Sequence, residues 1–149
     1  MANEIKSRIE SELEVKTYIQ KLKFALNNGA KIYFQENRFL DKKREEKYTN
    51  HYTISKLFPN ENPVEVLKRE LLTLSEKNYM RTVKDIRFPN KAEMREFGKV
   101  YLMNTEQRDV YIKLRVELVG ERNCGEHTVF IMSFHFAEKP FSNADFPHR

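Results

Sequence analysis

Hydrophobic residues near the N-terminus repeat at the spacing of one helix face. The face consists of Val15, Tyr18, Ile19, Leu22 and Leu26. Lysines fall between these positions, so the segment is amphipathic at the helical period. The repeat continues less regularly back to residue 5, which predicts a helix over residues 4–28. The Asn-Asn-Gly run at 27–29 supplies residue types that end helices in a left-handed conformation.

Shorter elements are predicted in the middle of the chain. Residues 31–34 resemble a strand, and Asn62 followed by Pro63 is typical of a helix start. The apolar face of this second helix is predicted to contain Val64, Leu67, Leu71 and Leu74. A short turn at residues 75–76 then leads into an extended segment over residues 79–83.

The last third of the chain is rich in β-branched and aromatic residues, which favour strands. Strands are predicted over residues 100–103, 110–118 and 129–136, with connections at 104–109 and 119–128. Helices followed by an antiparallel meander indicate one α+β domain over residues 1–149. In this fold N-terminal helices pack on a small antiparallel sheet formed mainly by the C-terminal third.

The predicted strand over residues 110–118 alternates completely between apolar and polar side chains, and such side chains point to opposite faces. Its apolar set, predicted to face the core, is Val110, Ile112, Leu114, Val116 and Leu118. Its polar set is Tyr111, Lys113, Arg115 and Glu117. In the last strand the core set is predicted to be Phe130, Met132, Phe134 and Phe136. The other face would then carry Val129, Ile131, Ser133 and His135.

Pairing these two strands as a hairpin brings their polar faces together. If Leu118 lies opposite Thr128, then Tyr111 lies opposite His135, and Lys113 lies opposite Ser133. Directly opposed side chains have Cβ atoms about 4.5–5.5 Å apart. A phenol, an ammonium, a guanidinium and an imidazole would therefore share one accessible sheet face.

Composition and charge narrow the classes of function. Lys and Arg number 27 against 22 Asp and Glu, which gives a net charge of +5 and is compatible with a polyanionic partner. One cysteine excludes a disulfide framework, and no apolar run reaches the roughly 20 residues that span a bilayer. The N-terminus does not resemble a signal peptide, so a cytoplasmic protein without membrane contact is expected. The mixed-charge run at 41–47 indicates a solvated helix face or mobile loop, with RNA or partner contact as the alternative.

The polar face suits RNA cleavage without a metal. That reaction needs a base for the 2′-OH proton, an acid for the leaving 5′-oxygen, and cations near the phosphate. An ordinary solvated sheet face is the alternative interpretation. No metal or cofactor is expected, because His127 and His135 would lie about 26 Å apart along a strand. Cys124 and His127 form a lone Cys-x-x-His.

Residues 64–136 resemble the MqsR-type mRNA interferase toxins of bacterial toxin–antitoxin pairs. The resemblance runs through LSEKNY at 74–79, FGKVY at 97–101, DVYIKL at 109–114 and VFIMSFH at 129–135. It implies a RelE-like fold, metal-independent cleavage of mRNA, and a cognate antitoxin protein as partner. The charged segment 36–60 is enlarged relative to that family. The chain also has an added tail at 137–149, whose Phe141 and Phe146 are expected to pack back on the domain.

The active-site positions of that family match Arg81, the Gly98–Lys99 pair, Tyr111 and His135. Gly98 stands where the family has glutamine, and His135 stands where it has lysine. These departures leave open a non-catalytic RNA- or protein-binding module of the same fold. A second alternative is a mobile-element protein that blocks a host factor through residues 36–60.

The sequence thus predicts a catalytic set and an RNA-binding set. The catalytic set is Arg81, Tyr111, Lys113 and His135, and the RNA-binding set is Lys84, Lys99 and Arg115. His135 is the expected general acid, because an unperturbed imidazole titrates near neutral pH. Tyr111 is expected to orient or deprotonate the 2′-OH, while Arg81 and Lys113 hold the phosphate. The basic residues are expected to converge on one patch, because RNA backbone contacts need clustered cations.

Overall fold

Three α-helices and six β-strands make up the described part of the chain. The computed structural model describes residues 5–36, 45–85, 92–120 and 125–149. The helices are α1 (Glu12–Asn27), α2 (Asn50–Leu57) and α3 (Pro63–Leu71). The strands are β1 (Ile5–Arg8), β2 (Lys31–Phe34), β3 (Tyr79–Asp85), β4 (Met94–Met103), β5 (Glu106–Glu117) and β6 (Thr128–Phe136). The predicted α+β class is confirmed.

The strands form one sheet in the order β1-β3-β4-β5-β6-β2. Every pair is antiparallel except β2 with β6, which run parallel at one edge. The long strands β4, β5 and β6 occupy the centre, which confirms a sheet built mainly from the C-terminal third. β4 and β5 are joined by a tight turn at Asn104 and Thr105, both with positive φ. The predicted connection over 104–109 is therefore mostly strand.

The predicted helix over residues 4–28 is wrong at its N-terminal end. Residues 5–8 instead pair with β3 as an edge strand. Helix α1 begins after Ser11, whose hydroxyl accepts a hydrogen bond from the Glu14 amide while the Glu14 carboxylate accepts from the Ser11 amide. This capping box satisfies two free amides and sets the helix start. The irregular apolar pattern before residue 15 therefore reflected a strand and a connection.

One layer of helices packs against one face of the sheet, which is called the helix face below. The apolar stripe of α1 is buried there as predicted, with Leu22 and Ala25 fully inaccessible. In α3, Leu67 and Leu71 are buried, whereas Val64 is 44% exposed and Val66 is buried in its place. None of the helices in these described ranges is long and apolar enough to cross a membrane.

Helix α2 covers the edge of β6 beyond the end of β2. The Asn50 amide nitrogen donates to the Met132 carbonyl at 3.0 Å, and its oxygen accepts from the Phe134 amide at 2.9 Å. The Thr53 hydroxyl accepts from the Phe136 amide at 2.8 Å. Two side chains thus replace a neighbouring strand and satisfy buried backbone groups. The charged segment 36–60 therefore contains a structural helix, while residues 37–44 lie outside the described residues.

Replacing Asn50 with alanine is expected to destabilise the fold by about 1–3 kcal/mol, because the Phe134 amide would be buried without an acceptor. Urea unfolding monitored by circular dichroism measures the change. Asn28→Ala is the matched control, since it removes an amide side chain that donates to the Phe24 carbonyl at an exposed position. An equal loss of unfolding free energy in both variants would show that the contact of Asn50 with the edge of β6 contributes no more than an exposed hydrogen bond.

Candidate active site

Strands β5 and β6 bring together the pair of residues that the sequence predicted. Tyr111 lies opposite His135 and Lys113 lies opposite Ser133. The rings of Tyr111 and His135 are 5.3 Å apart between centroids and are tilted by 38°. All four side chains project from the face opposite the helix face, because Ile112 and Phe134 between them are in the core. This second side of the sheet is called the site face.

The predicted core residues in the first half of β6 are wrong because the strand contains a β-bulge. The register shifts by one residue between Lys113 and Leu114, so Leu114 pairs with Ile131, and Glu117 rather than Leu118 pairs with Thr128. A bulge reverses which face each following residue occupies. Val129 and Ile131 are consequently in the core, while Phe130 and Met132 are only partly buried.

The site face also carries a buried carboxylate that the sequence analysis did not select. Glu96, on β4, lies directly opposite Lys113 of β5 on one side and Arg81 of β3 on the other. Its carboxylate oxygen is 2.6 Å from the Arg81 Nε, and Glu96 is 3% exposed. The hydrogen bond that Arg81 donates to Glu96 is the main cause that raises the pKa of Arg81, so the guanidinium stays charged.

Glu96 was missed because β4 was predicted to begin at Val100. The strand begins at Met94 instead. Alternation from that start places Met94, Glu96 and Gly98 on the site face and Phe97 on the helix face. The signal was present as a two-residue period, but the glycine interrupted the β-branched run that marks a strand.

His135 lies on the predicted face but is far less accessible than predicted. It is 6% exposed. Its Nδ1 is 3.0 Å from the carbonyl oxygen of Phe136. A proton on Nδ1 makes this contact a hydrogen bond and leaves Nε2 as the nitrogen that exchanges a proton. The expectation of an open, solvated histidine is therefore wrong, while its place beside Tyr111 is confirmed.

The predicted basic patch is divided between the two faces. Arg81, Lys113 and Arg115 share the site face, where the Arg115 guanidinium lies 5.0 Å above the Phe130 ring. Lys99 projects from the helix face, and its Nζ is 3.0 Å from the carboxylate of Glu70.

Lys84 also alternates away from Arg81 on β3 and therefore lies on the helix face. A bulge between Tyr79 and Arg81 places Arg81 on the site face, and regular alternation from there places Lys84 on the other side. Lys84 and Lys99 therefore do not converge with the other three basic residues. The prediction of one shared patch is wrong for these two lysines.

The C-terminal tail, residues 137–149, crosses the site face. The Ala137 amide donates to the Asp109 carbonyl, and the Phe141 amide donates to the Asp109 carboxylate, both at 2.9 Å. The expectation that the tail packs on the domain is confirmed, since Phe146 is 3% exposed. A Cβ atom at Gly98 would lie 2.8 Å from ring atoms of both Phe141 and Phe146. Only glycine leaves room for these rings.

The tail ends at the first edge of the sheet. The His148 ring stacks on the Tyr79 ring with centroids 5.8 Å apart. Its Nε2 is 2.8 Å from the carbonyl oxygen of Glu10. The tail therefore spans from β5 and β6 across Gly98 to the connection between β1 and α1.

A second buried carboxylate, Glu10, lies at that connection, where its hydrogen bonds to neighbouring strands hold the fold together. Arg95 donates to it at 2.9 and 3.2 Å, and the Thr82 hydroxyl also donates to it. Burial by itself raises the pKa of Glu10, but the hydrogen bonds from Arg95 and Thr82 outweigh burial and lower the pKa below its usual range. The charged form of Glu10 is thus favoured by the fold.

Glu10 is therefore expected to make stability depend on acid pH. Because its folded pKa is below the unfolded value of 4.5, its contribution is present above about pH 4.5 and is lost as pH falls through the folded pKa. We expect Glu10→Gln to lower the melting temperature at pH 7 and to flatten the decline in stability below pH 4.5. Glu65→Gln, which changes an exposed carboxylate on α3, is the control for removing one negative charge. Parallel pH curves for Glu10→Gln and wild type would contradict this role.

No metal-binding group of three or more His, Cys, Asp or Glu residues occurs within the described ranges. Cys124, the cysteine of the lone Cys-x-x-His, lies outside those ranges. Comparison with models of protein families, with curated proteins and with solved structures finds no match. The arrangement of side chains on the site face is therefore the basis for assigning a function.

Proposed function

We propose that this protein is a metal-independent endoribonuclease that cleaves mRNA by attack of the ribose 2′-OH. The observation that supports this most is the grouping of His135, Tyr111, Glu96 and Arg81 on one sheet face. An imidazole, a carboxylate and cations are the groups that this reaction needs. The resemblance of residues 64–136 to mRNA interferases further supports a toxin neutralised by a cognate antitoxin protein.

In the proposed reaction, Glu96 accepts the 2′-OH proton and the 2′-oxygen attacks the adjacent phosphorus. The bond from phosphorus to the 5′-oxygen then breaks, and His135 gives its Nε2 proton to that leaving oxygen. Arg81 and Lys113 stabilise the additional negative charge on the phosphate. The contact from Nδ1 to the Phe136 carbonyl keeps Nε2 directed away from the backbone.

Glu96 replaces Tyr111 as the proposed base for a chemical reason. A carboxylate oxygen can accept a proton directly through its lone pairs, whereas a phenol must first lose its own proton before it can act as a base. Tyr111 lies between Gly98 and His135 in the same row of the sheet. We assign it the role of orienting the ribose beside His135.

The chemical test is the structure of the RNA ends. Incubating the protein with single-stranded RNA in EDTA should yield 2′,3′-cyclic phosphate and 5′-hydroxyl ends. A 2′-deoxy nucleotide at the cut site should block the reaction, because it removes the attacking oxygen. Products with 5′-phosphate ends, or an absolute requirement for Mg²⁺, would show that water and a metal perform the reaction instead.

The burial of His135 favours a second candidate, a non-catalytic RNA- or protein-binding module. At 6% exposure this imidazole is not accessible to a phosphate in the described conformation. Such a module would bind RNA with affinity that falls as salt is added, because phosphate contacts release counterions. Binding without cleavage, both in the full chain and after the tail is displaced, would establish the module and exclude the enzyme.

A further inference from the structure

The C-terminal tail lies where an RNA strand would have to lie to reach the proposed site. Its two phenyl rings rest on Gly98, which is the direct neighbour of Tyr111 across the strands. Neighbouring strands are about 4.8 Å apart, so a ring on Gly98 is next to the Tyr111 side chain. Tyr111 in turn contacts the ring of His135.

The tail also places a negative charge near the proposed phosphate-binding arginine. Glu96 is the principal partner of Arg81, and the charge of the Asp145 carboxylate acts in the same direction and raises the pKa of Arg81. Asp145 belongs to a short 3-10 turn, Asn143–Asp145, which lies between Phe141 and Phe146 in the chain. A carboxylate at this position competes with a phosphate for the same cation.

Few contacts hold the tail in place. Residues 138–140 and 142–145 are exposed, and Phe146 is the one residue beyond position 136 in the described chain that is buried. The other attachments among the described residues include the Ala137 and Phe141 amides on Asp109, and the His148 ring, which stacks on Tyr79 and reaches the Glu10 carbonyl. A segment fixed at a few points can leave the sheet while the core stays folded.

We propose that residues 140–149 form an intramolecular cover that keeps the ribonuclease site closed, and that RNA cleavage requires this segment to leave Gly98. The inference rests on the proposed function for the identity of the covered site. It also explains the glycine at a position where the resembling family has glutamine. Gly98 is the position on which the cover packs, because any side chain there would displace the rings of Phe141 and Phe146.

Two substitutions open the cover without touching the proposed catalytic groups. Gly98→Ala places a methyl group 2.8 Å from the far ends of two tail rings, which must move away. Phe146→Ala removes the buried ring itself. Losing one buried phenyl ring shifts a closed–open equilibrium by about 10- to 100-fold. Both variants should raise the cleavage rate by about that factor, up to the rate of the fully open protein.

The controls match each substitution in size. Gly125→Ala adds a methyl group where nothing lies within 4 Å, and Phe24→Ala removes a half-exposed ring from α1. Alongside RNA cleavage, the rate at which diethylpyrocarbonate modifies His135 is measured by peptide mass spectrometry. This second measurement reports on the cover even if RNA is not the substrate. Circular dichroism checks that each variant remains folded.

Faster modification of His135 together with faster cleavage in Gly98→Ala and Phe146→Ala, but not in the controls, supports the cover. Unchanged modification of His135 overturns it. Faster modification with reduced cleavage also overturns it, because the tail would then be part of the substrate site. If His135 becomes reactive and no variant cleaves RNA, the cover of His135 is supported and the ribonuclease function fails.

Discussion

Replacing His135 with glutamine is expected to lower RNA cleavage by about 10²–10⁴-fold, which is the usual cost of losing one acid–base group. Glutamine has a similar size and remains polar, so the packing beside Tyr111 is largely preserved. The amide cannot give a proton to the leaving 5′-oxygen. Single-turnover cleavage of a defined RNA, followed by product analysis on gels, measures the loss, and RNA affinity should stay close to wild type.

The matched control is His51→Gln, which changes an exposed histidine on α2 that contacts Glu36. It should cleave at the wild-type rate. Both variants should also be compared in the Phe146→Ala background, where the tail no longer limits the rate. If His135→Gln retains full cleavage in that background, the general acid is another group.

Replacing Glu96 with glutamine is expected to cost a similar factor of about 10²–10⁴. The glutamine oxygen still accepts the hydrogen bond from Arg81 Nε, so the guanidinium keeps its position. What the variant loses is the ability to accept the 2′-OH proton. Single-turnover cleavage of the same defined RNA measures this loss.

Glu117→Gln serves as the control for Glu96, because Glu117 is on the same strand face and pairs with Arg115 at 3.0 Å. It should leave cleavage within about threefold of wild type, because this partly buried ion pair lies outside the proposed catalytic set. Should Glu96→Gln behave like this control, Glu96 only positions Arg81. The base would then be Tyr111, as the sequence analysis first assigned.

The local pattern of polar and apolar residues was sufficient to predict the buried face and the strand pairing at the centre of the sheet. Over 110–117 one face is wholly apolar, so a register error would bury charges, and the pairing of Tyr111 with His135 followed from that constraint. In β6 both faces of residues 129–132 are apolar. Either parity then buries hydrophobic side chains, and the bulge beside Lys113 could not be predicted.

The sequence by itself determined the α+β class, the strand pairing at Tyr111 and His135, and the helix start at Asn62. These depend on residues close together in the chain or on strict alternation. The tertiary structure alone decided three other features. They are the contact of Arg81 with Glu96, the placement of Lys99 with Glu70, and the tail over Gly98. Each depends on strand parity set by a bulge or an unrecognised strand start, or on contacts between residues more than 40 positions apart. Physical neighbours of that kind leave no periodic signal in one sequence.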